Sequence, residues 1–202
     1  MTLYGCAKVG IRAFSRVVWR VRVEGAQNVP AVGPLIVACN HLSLLDPPIL
    51  GAYCPRPLRY MTKRELFEIP LFGPLIRAVG AYPVDREGSA FGAVKRSIEM
   101  LRAGEAIGIF PEGGRNPTGE ARAREGVALL ASLAKAPVVP AAIVGSDRAL
   151  RLHAMKVVFG PALRLDGGRK ATRDELAKFT ATVMGEIRAL AKRVNSEETP
   201  RA

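Results

Sequence analysis

Pro34-Leu35-Ile36-Val37-Ala38-Cys39-Asn40-His41-Leu42-Ser43-Leu44-Leu45-Asp46-Pro47 passes from an unbroken apolar run into a polar turn. The apolar part, Leu35 to Cys39, has the length and continuity of a strand buried on both faces. Such a strand needs helices on both sides, and the flanking sequence supplies them. Short strands are expected at Val21–Gly25, Leu58–Thr62, Tyr82–Val84, Ala106–Phe110, Val138–Val144 and Met155–Phe159. Helical periodicity falls between them. Pro47-Pro48 can open a helix through Tyr53, and Ser89 can cap one whose apolar face is Phe91, Val94, Ile98 and Leu101, ended by Gly104. Glu125 to Lys135 reads as another. A capping box, Thr172 with Glu175, starts a last helix striped by Leu176, Phe179, Val183, Ile187, Leu190 and Val194. Alternating strands and helices predict a single α/β domain with a mixed, mostly parallel central sheet flanked by helices. The expected division is an amphipathic helix over residues 1–20, the domain over 21–194 and a flexible tail over 195–202.

The formal charge of +12 over 202 residues biases the surface toward anionic partners. No zinc finger, helix-turn-helix or aromatic-rich sheet motif accompanies it, so nucleic acid is not the expected partner. Cys6, Cys39 and Cys54 are odd in number and irregular in spacing, which fits neither a disulfide framework nor a metal site. No stretch reaches the roughly 18 apolar residues of a spanning helix, and Lys8, Arg12 and Arg16 interrupt anything resembling a leader. Residues 3–20 instead suggest a helix that lies on a membrane. Lys8, Arg12, Arg16 and Arg20 repeat at intervals of four, with Ile11, Phe14, Val17 and Val18 on the other side and Trp19 at the margin. That pattern predicts a peripheral or monotopic anchor on an anionic membrane surface, at the cytoplasmic face of the cell membrane; an ordinary amphipathic helix with its apolar face packed on its own domain would show the same pattern.

Four motifs carry possible chemistry. In an ideal helix five residues set two side chains about 140° apart, so a continuous helix would separate His41 from Asp46. Pro47 disfavours helical geometry at Asp46 and predicts a turn. The carboxylate could then hold one ring nitrogen and leave the other as a proton acceptor, as a general base requires. Taken alone, such a histidine is more often a packed or surface residue. The second motif, Gly80-Ala81-Tyr82-Pro83-Val84-Asp85-Arg86, ends in an arginine that could be a surface cation. In the third, Phe110-Pro111-Glu112-Gly113-Gly114-Arg115, the glycines let backbone amides turn toward an anion and Arg115 offers a fork suited to phosphate. A bland tight turn explains those glycines too. The fourth, Val138-Val139-Pro140-Ala141-Ala142-Ile143-Val144-Gly145, could be core strand only.

Together, in this order, NHLSLLDP, GAYPVDR, FPEGGR and VVPAAIVG resemble the four blocks of the glycerophospholipid acyltransferase family, best known through the 1-acyl-sn-glycerol-3-phosphate acyltransferases. The resemblance spans roughly residues 20 to 165. It implies acyl transfer from a thioester, acyl-CoA or acyl carrier protein, to the 2-hydroxyl of a lysophosphatidic acid, forming phosphatidic acid with no cofactor and no metal. By resemblance, His41 is the general base and Asp46 orients it. Arg86, Glu112, Gly113 and Arg115 match the blocks that bind the acceptor's glycerol phosphate, and Lys63 matches a basic position common in the family. Gly114 departs from the pattern, because many members carry Thr or Ser there. Another lysophospholipid, glycerol 3-phosphate, or a non-catalytic membrane-binding relative are the alternatives this leaves.

Overall fold

The computed structural model describes residues 3–70, 72–84, 90–116, 123–165 and 171–198. Among these residues seven strands form one sheet: β1 (Arg22–Glu24), β2 (Leu35–Cys39), β3 (Leu58–Lys63), β4 (Ala81–Val84), β5 (Ala106–Ile109), β6 (Val138–Val144) and β7 (Lys156–Phe159), in the spatial order β1-β7-β6-β2-β5-β3-β4. From β6 to β4 all neighbours are parallel, and β7 lies antiparallel to β6 with β1 parallel to β7. The mixed, mostly parallel sheet expected from the alternation is thus present. All residues of β2 and β6 are buried, because helices cover both faces.

Pro140 sits inside central strand β6, where a missing N–H is ordinarily unwelcome. The register explains it. Ala141 pairs with Phe159, but Val138 pairs with Leu163, so the chain on the β7 side carries one extra residue across Pro140. The ladder is broken at the proline by this bulge-like slip.

One face of the sheet packs on α1 (Leu3–Val18) and α2 (Asp46–Tyr53), through Leu35, Val37, Cys39, Leu50 and Ile143. The other packs on α4 (Ala90–Arg102), α5 (Gly126–Ala134) and α6 (Arg173–Glu198), through Ile36, Ala38, Ile107, Val127 and Ile187. A short helix, α3 (Phe72–Ala78), precedes β4. The capping box of α6 forms as expected: the Thr172 N–H donates to Glu175 Oε2 at 2.7 Å and the Glu175 N–H to Thr172 Oγ1 at 3.3 Å. The helix continues to Glu198, into the segment read as a tail. Ser89, the expected cap of α4, lies outside the described residues. Phe91 does not join α4's buried face but is exposed. That face centres on buried Ser97 and Leu101, and Phe91 falls about 100° round the helix from them.

Helix α1 departs most from expectation. Lys8 Nζ donates to the Cys54 carbonyl at 2.6 Å, Arg12 Nε donates to the Ala52 carbonyl, and Ser15 Oγ lies 2.9 Å from Tyr53 Oη. Half of the supposed cationic stripe therefore caps the carboxyl end of α2, where carbonyls lack partners and the helix dipole favours cations. Leu3, Val9, Phe14 and Val17 point away from the protein, with Val17 81% exposed. The helix turns Lys8, Arg12, Ser15 and Ile11 toward its own domain and leaves Leu3, Val9, Phe14 and Val17 outside beside exposed Arg16. Among the described residues no helix is long and apolar enough to cross a membrane.

Candidate active site

The parallel strands end on one edge of the sheet, where sites in open α/β folds gather. β2 delivers Asn40 and His41 to that edge, and β5 delivers Phe110 and Glu112. Lys63 closes β3 opposite Val84, the last residue of β4; Arg86 lies outside the described residues.

Asn40 is buried and replaces a rung of the ladder with its side chain. Its Nδ2 donates to the Ile143 carbonyl at 2.9 Å, and its Oδ1 accepts the Ile143 N–H at 2.8 Å. The end of β2 is thereby clamped to β6 just where the chain turns into His41. From the other side, the Asn116 N–H donates to the His41 carbonyl at 2.6 Å. Phe110 stacks on the imidazole with centroids 4.3 Å apart, and Tyr60 stacks on Phe110 in turn at 6.3 Å. Gly108 makes room for this stack, since a Cβ there would come within 2.2 Å of the Tyr60 ring.

The turn from His41 to Asp46 closes on the aspartate. Asp46 Oδ2 accepts the N–H groups of Leu42 at 2.6 Å and Ser43 at 2.7 Å, and meets His41 Nδ1 at 3.0 Å. Asp46 is also the first residue of α2, followed by two prolines at positions where no N–H is needed. Its side chain is fully buried, while that of His41 keeps 14% of its surface open. A carboxylate on Nδ1 fixes that nitrogen as the donor and leaves the Nε2 lone pair for a substrate proton.

Glu112 Oε2 accepts the His41 N–H at 3.3 Å. Burial pushes its carboxyl above the usual value, opposed by the hydrogen bonds from His41 and Asn116. Gly113 has φ +75°, and a Cβ there would strike the Arg124 side chain at 2.4 Å from Nε. Arg124 thus lays a guanidinium against the Gly113 turn, while Arg115 is exposed. The structure brings together His41, Asp46, Glu112 and Gly113, with Arg115 on the same loop. Sequence reasoning missed Arg124, Asn116 and the clamping role of Asn40. Their partners lie in other elements, and only the position of Asn40 just past β2 hinted at its role.

Beside Glu112, a cavity of about 310 Å³ opens toward α6, lined by Asn40, Asn116, Asp147, Arg148 and Arg188 among others. Cys39 is fully buried, and burial pushes its thiol well above the usual range, which removes it as a candidate nucleophile. No group of three or more potential metal-ligating side chains occurs among the described residues.

A histidine–aspartate pair thus stands beside a glycine-turned, arginine-bearing loop at the strand ends. The acyltransferase family profile matches residues 20–144, which contain all of it, and the chain belongs to that family. It is 32% identical over 180 residues to the 1-acyl-sn-glycerol-3-phosphate acyltransferase of Bacillus subtilis, covering 87% of this chain and 90% of that one. The enzyme of the same name from Pseudomonas aeruginosa is 29% identical over 193 residues, covering 89% and 74%. The crystal structure of the 1-acyl-sn-glycerophosphate acyltransferase PlsC from Thermotoga maritima superposes with a TM-score of 0.72 at 25% identity, over 98% of this chain and 81% of that one.

Proposed function

We propose that this acyltransferase moves a fatty acyl group from a thioester to the 2-hydroxyl of 1-acyl-glycerol 3-phosphate, forming phosphatidic acid, with His41 as general base. The observation that carries the reading is the 3.0 Å contact of His41 Nδ1 with buried Asp46, in a family whose curated relatives bear that activity. Nε2 takes the hydroxyl proton as the oxygen attacks the thioester carbonyl. The tetrahedral adduct collapses with cleavage of the C–S bond, and the imidazolium returns its proton to the leaving thiolate. An oxygen ester and a free thiol result, with no acyl-enzyme. Asp46 stabilises the transient imidazolium, and the fixed geometry converts an encounter into a positioned reaction.

Arg115, Glu112 and the Gly113 turn hold the acceptor's glycerol phosphate, with Lys63 and Arg86 contributing by resemblance. The donor is acyl-CoA or acyl carrier protein, both anionic and suited to a chain of net charge +12. The outward apolar face of α1, bordered by Arg16 and Arg20, supports docking on an anionic membrane surface at its cytoplasmic face. Gly114 favours a second reading for the acceptor. It lacks the hydroxyl that many family members carry there, which leaves room for another lysophospholipid or for glycerol 3-phosphate.

The test offers both donors with a panel of lysophospholipids and glycerol 3-phosphate, and measures product by mass spectrometry. Phosphatidic acid from 1-acyl-glycerol 3-phosphate, lost in His41→Ala, is expected. Equal turnover by His41→Ala, or an acylated protein trapped on the way, would overturn the direct-transfer mechanism.

A further inference from the structure

The segment after β6, Ser146–Arg151, is a 3-10 helix entered through Gly145 and closed by Leu152. Both flanking residues have left-handed backbone, with φ +87° at Gly145 and +52° at Leu152. Glycine takes this conformation freely, whereas a leucine holds it against a clash of its Cβ with the backbone. Glycine or asparagine would serve the turn better. Instead Leu152 is 59% exposed and Leu150 is exposed completely. Neither contributes to a core, so folding does not account for two leucines here.

Their surroundings do. Trp19 Nε1 donates to the Ala149 carbonyl at 3.0 Å, and the Met155 N–H donates to the Trp19 carbonyl at 3.0 Å. Trp19 also stands edge-on to Phe14 on α1, with ring centroids 5.5 Å apart. The leucines therefore continue the outward apolar face of α1. Arg16, Arg20 and Arg151, all exposed, and half-exposed Arg148 border the combined patch. Apolar tips ringed by cations match an anionic bilayer, in which the side chains enter the acyl boundary and the guanidinium groups meet head groups.

We propose that the Ser146–Leu152 segment is a second membrane-contacting element, inserting Leu150 and Leu152 into an anionic bilayer beside α1. This rests on the reading of α1 as a membrane-docking face. It adds an orientation, because Asp147 and Arg148 of the same segment line the cavity beside Glu112. Insertion of the leucines sets the rim of that cavity at the level of lipid phosphates, where a lysolipid acceptor resides.

The full chain is sedimented with sucrose-loaded vesicles of phosphatidylcholine and phosphatidylglycerol, and compared with the double variant Leu150→Ser, Leu152→Asn. Partitioning should fall about tenfold or more, the equivalent of roughly one leucine's buried surface. Thermal stability should hold or rise, because asparagine accepts the left-handed turn, and turnover of a short-chain, water-soluble acceptor should be unchanged. Wild-type partitioning by the double variant overturns this inference and leaves α1's role standing. Failure of the wild-type chain to sediment removes the α1 reading and this one with it. A dimer in the wild type that the double variant abolishes assigns the patch to a second copy, and also overturns the proposal.

Discussion

Asp46→Asn tests the dyad without dismantling the turn that holds it. Asp46 Oδ2 serves three donors, the N–H groups of Leu42 and Ser43 and the His41 ring. Truncation to alanine would strand two backbone donors, at about 1–3 kcal/mol each, a large share of the 5–15 kcal/mol that holds a domain together. Loss of activity in that variant would confuse folding with chemistry. Asparagine keeps an oxygen for the two amides and removes the charge. It also sets an NH2 where Oδ1 is buried without a partner among the described residues, a smaller disturbance than stranding both amides. A hydrogen bond to a charged group is worth about 1.5–3 kcal/mol, which at 1.4 kcal/mol per decade is roughly 10- to 150-fold in rate. General-base catalysis as a whole supplies about 10²- to 10⁴-fold. Asp46→Asn should therefore lower kcat by roughly two decades with KM for the acceptor within a few-fold. His41→Ala should lose more, and the double variant no more than His41→Ala, since the two act as a unit. Steady-state thioester consumption, with circular dichroism melting to certify the fold, measures all three. A folded Asp46→Asn enzyme within threefold of wild type would refute the assignment, as would a double variant showing the product of the two single losses.

Three further expectations follow from the same site. Glu112→Gln should stabilise the protein at neutral pH: burial raises the native carboxyl, so the folded state holds its proton more tightly than the unfolded one, and the ionised form becomes a liability as pH rises through the native value. Its melting-temperature advantage at roughly pH 7.5 should shrink toward zero at roughly pH 3, below the ordinary carboxylate range; an advantage growing on acidification would contradict the burial argument. Asn40→Ala should cost about 2–5 kcal/mol by unpairing both backbone groups of Ile143, a drop of roughly 5–15 °C for a chain of this size, measured by thermal melting. Gly114→Thr should fold as wild type, since nothing lies within 4 Å of a Cβ there, and should lower KM for 1-acyl-glycerol 3-phosphate relative to glycerol 3-phosphate; unchanged discrimination would mean that a hydroxyl at 114 plays no part in acceptor choice.

What the sequence made legible follows from where each determinant lies. The strands were readable because burial on both faces writes itself as a continuous run: Leu35–Cys39 and Val138–Val144 match β2 and β6 to the residue. The orientation of helix α1 was not legible, for the opposite reason. Periodicity finds its two faces but not which one turns inward, and Lys8 and Arg12 are claimed by carbonyls of Cys54 and Ala52, more than 35 residues along the chain. The face bearing Leu3, Val9, Phe14 and Val17 is the one left pointing outward. Arg124 was invisible likewise, because only the fold lays it against Gly113.

The histidine–aspartate spacing shows how much a local motif can encode. Asp46 reaches back to the amides of Ser43 and Leu42, three and four residues behind it, and to the ring one residue further. One carboxylate oxygen thus closes the turn and supports the base at once, with no need of a distant partner. The prolines after Asp46 start α2 immediately, so the aspartate cannot drift into an upstream helical register that would swing its side chain away from the ring. A shift of the aspartate by one residue in either direction would keep the composition and lose the triple contact. For this reason the pair could be read from sequence, whereas its supports could not: Phe110 stacks on the imidazole, Asn116 holds the His41 carbonyl and Asn40 clamps the preceding residue to β6, and only the folded sheet brings them together.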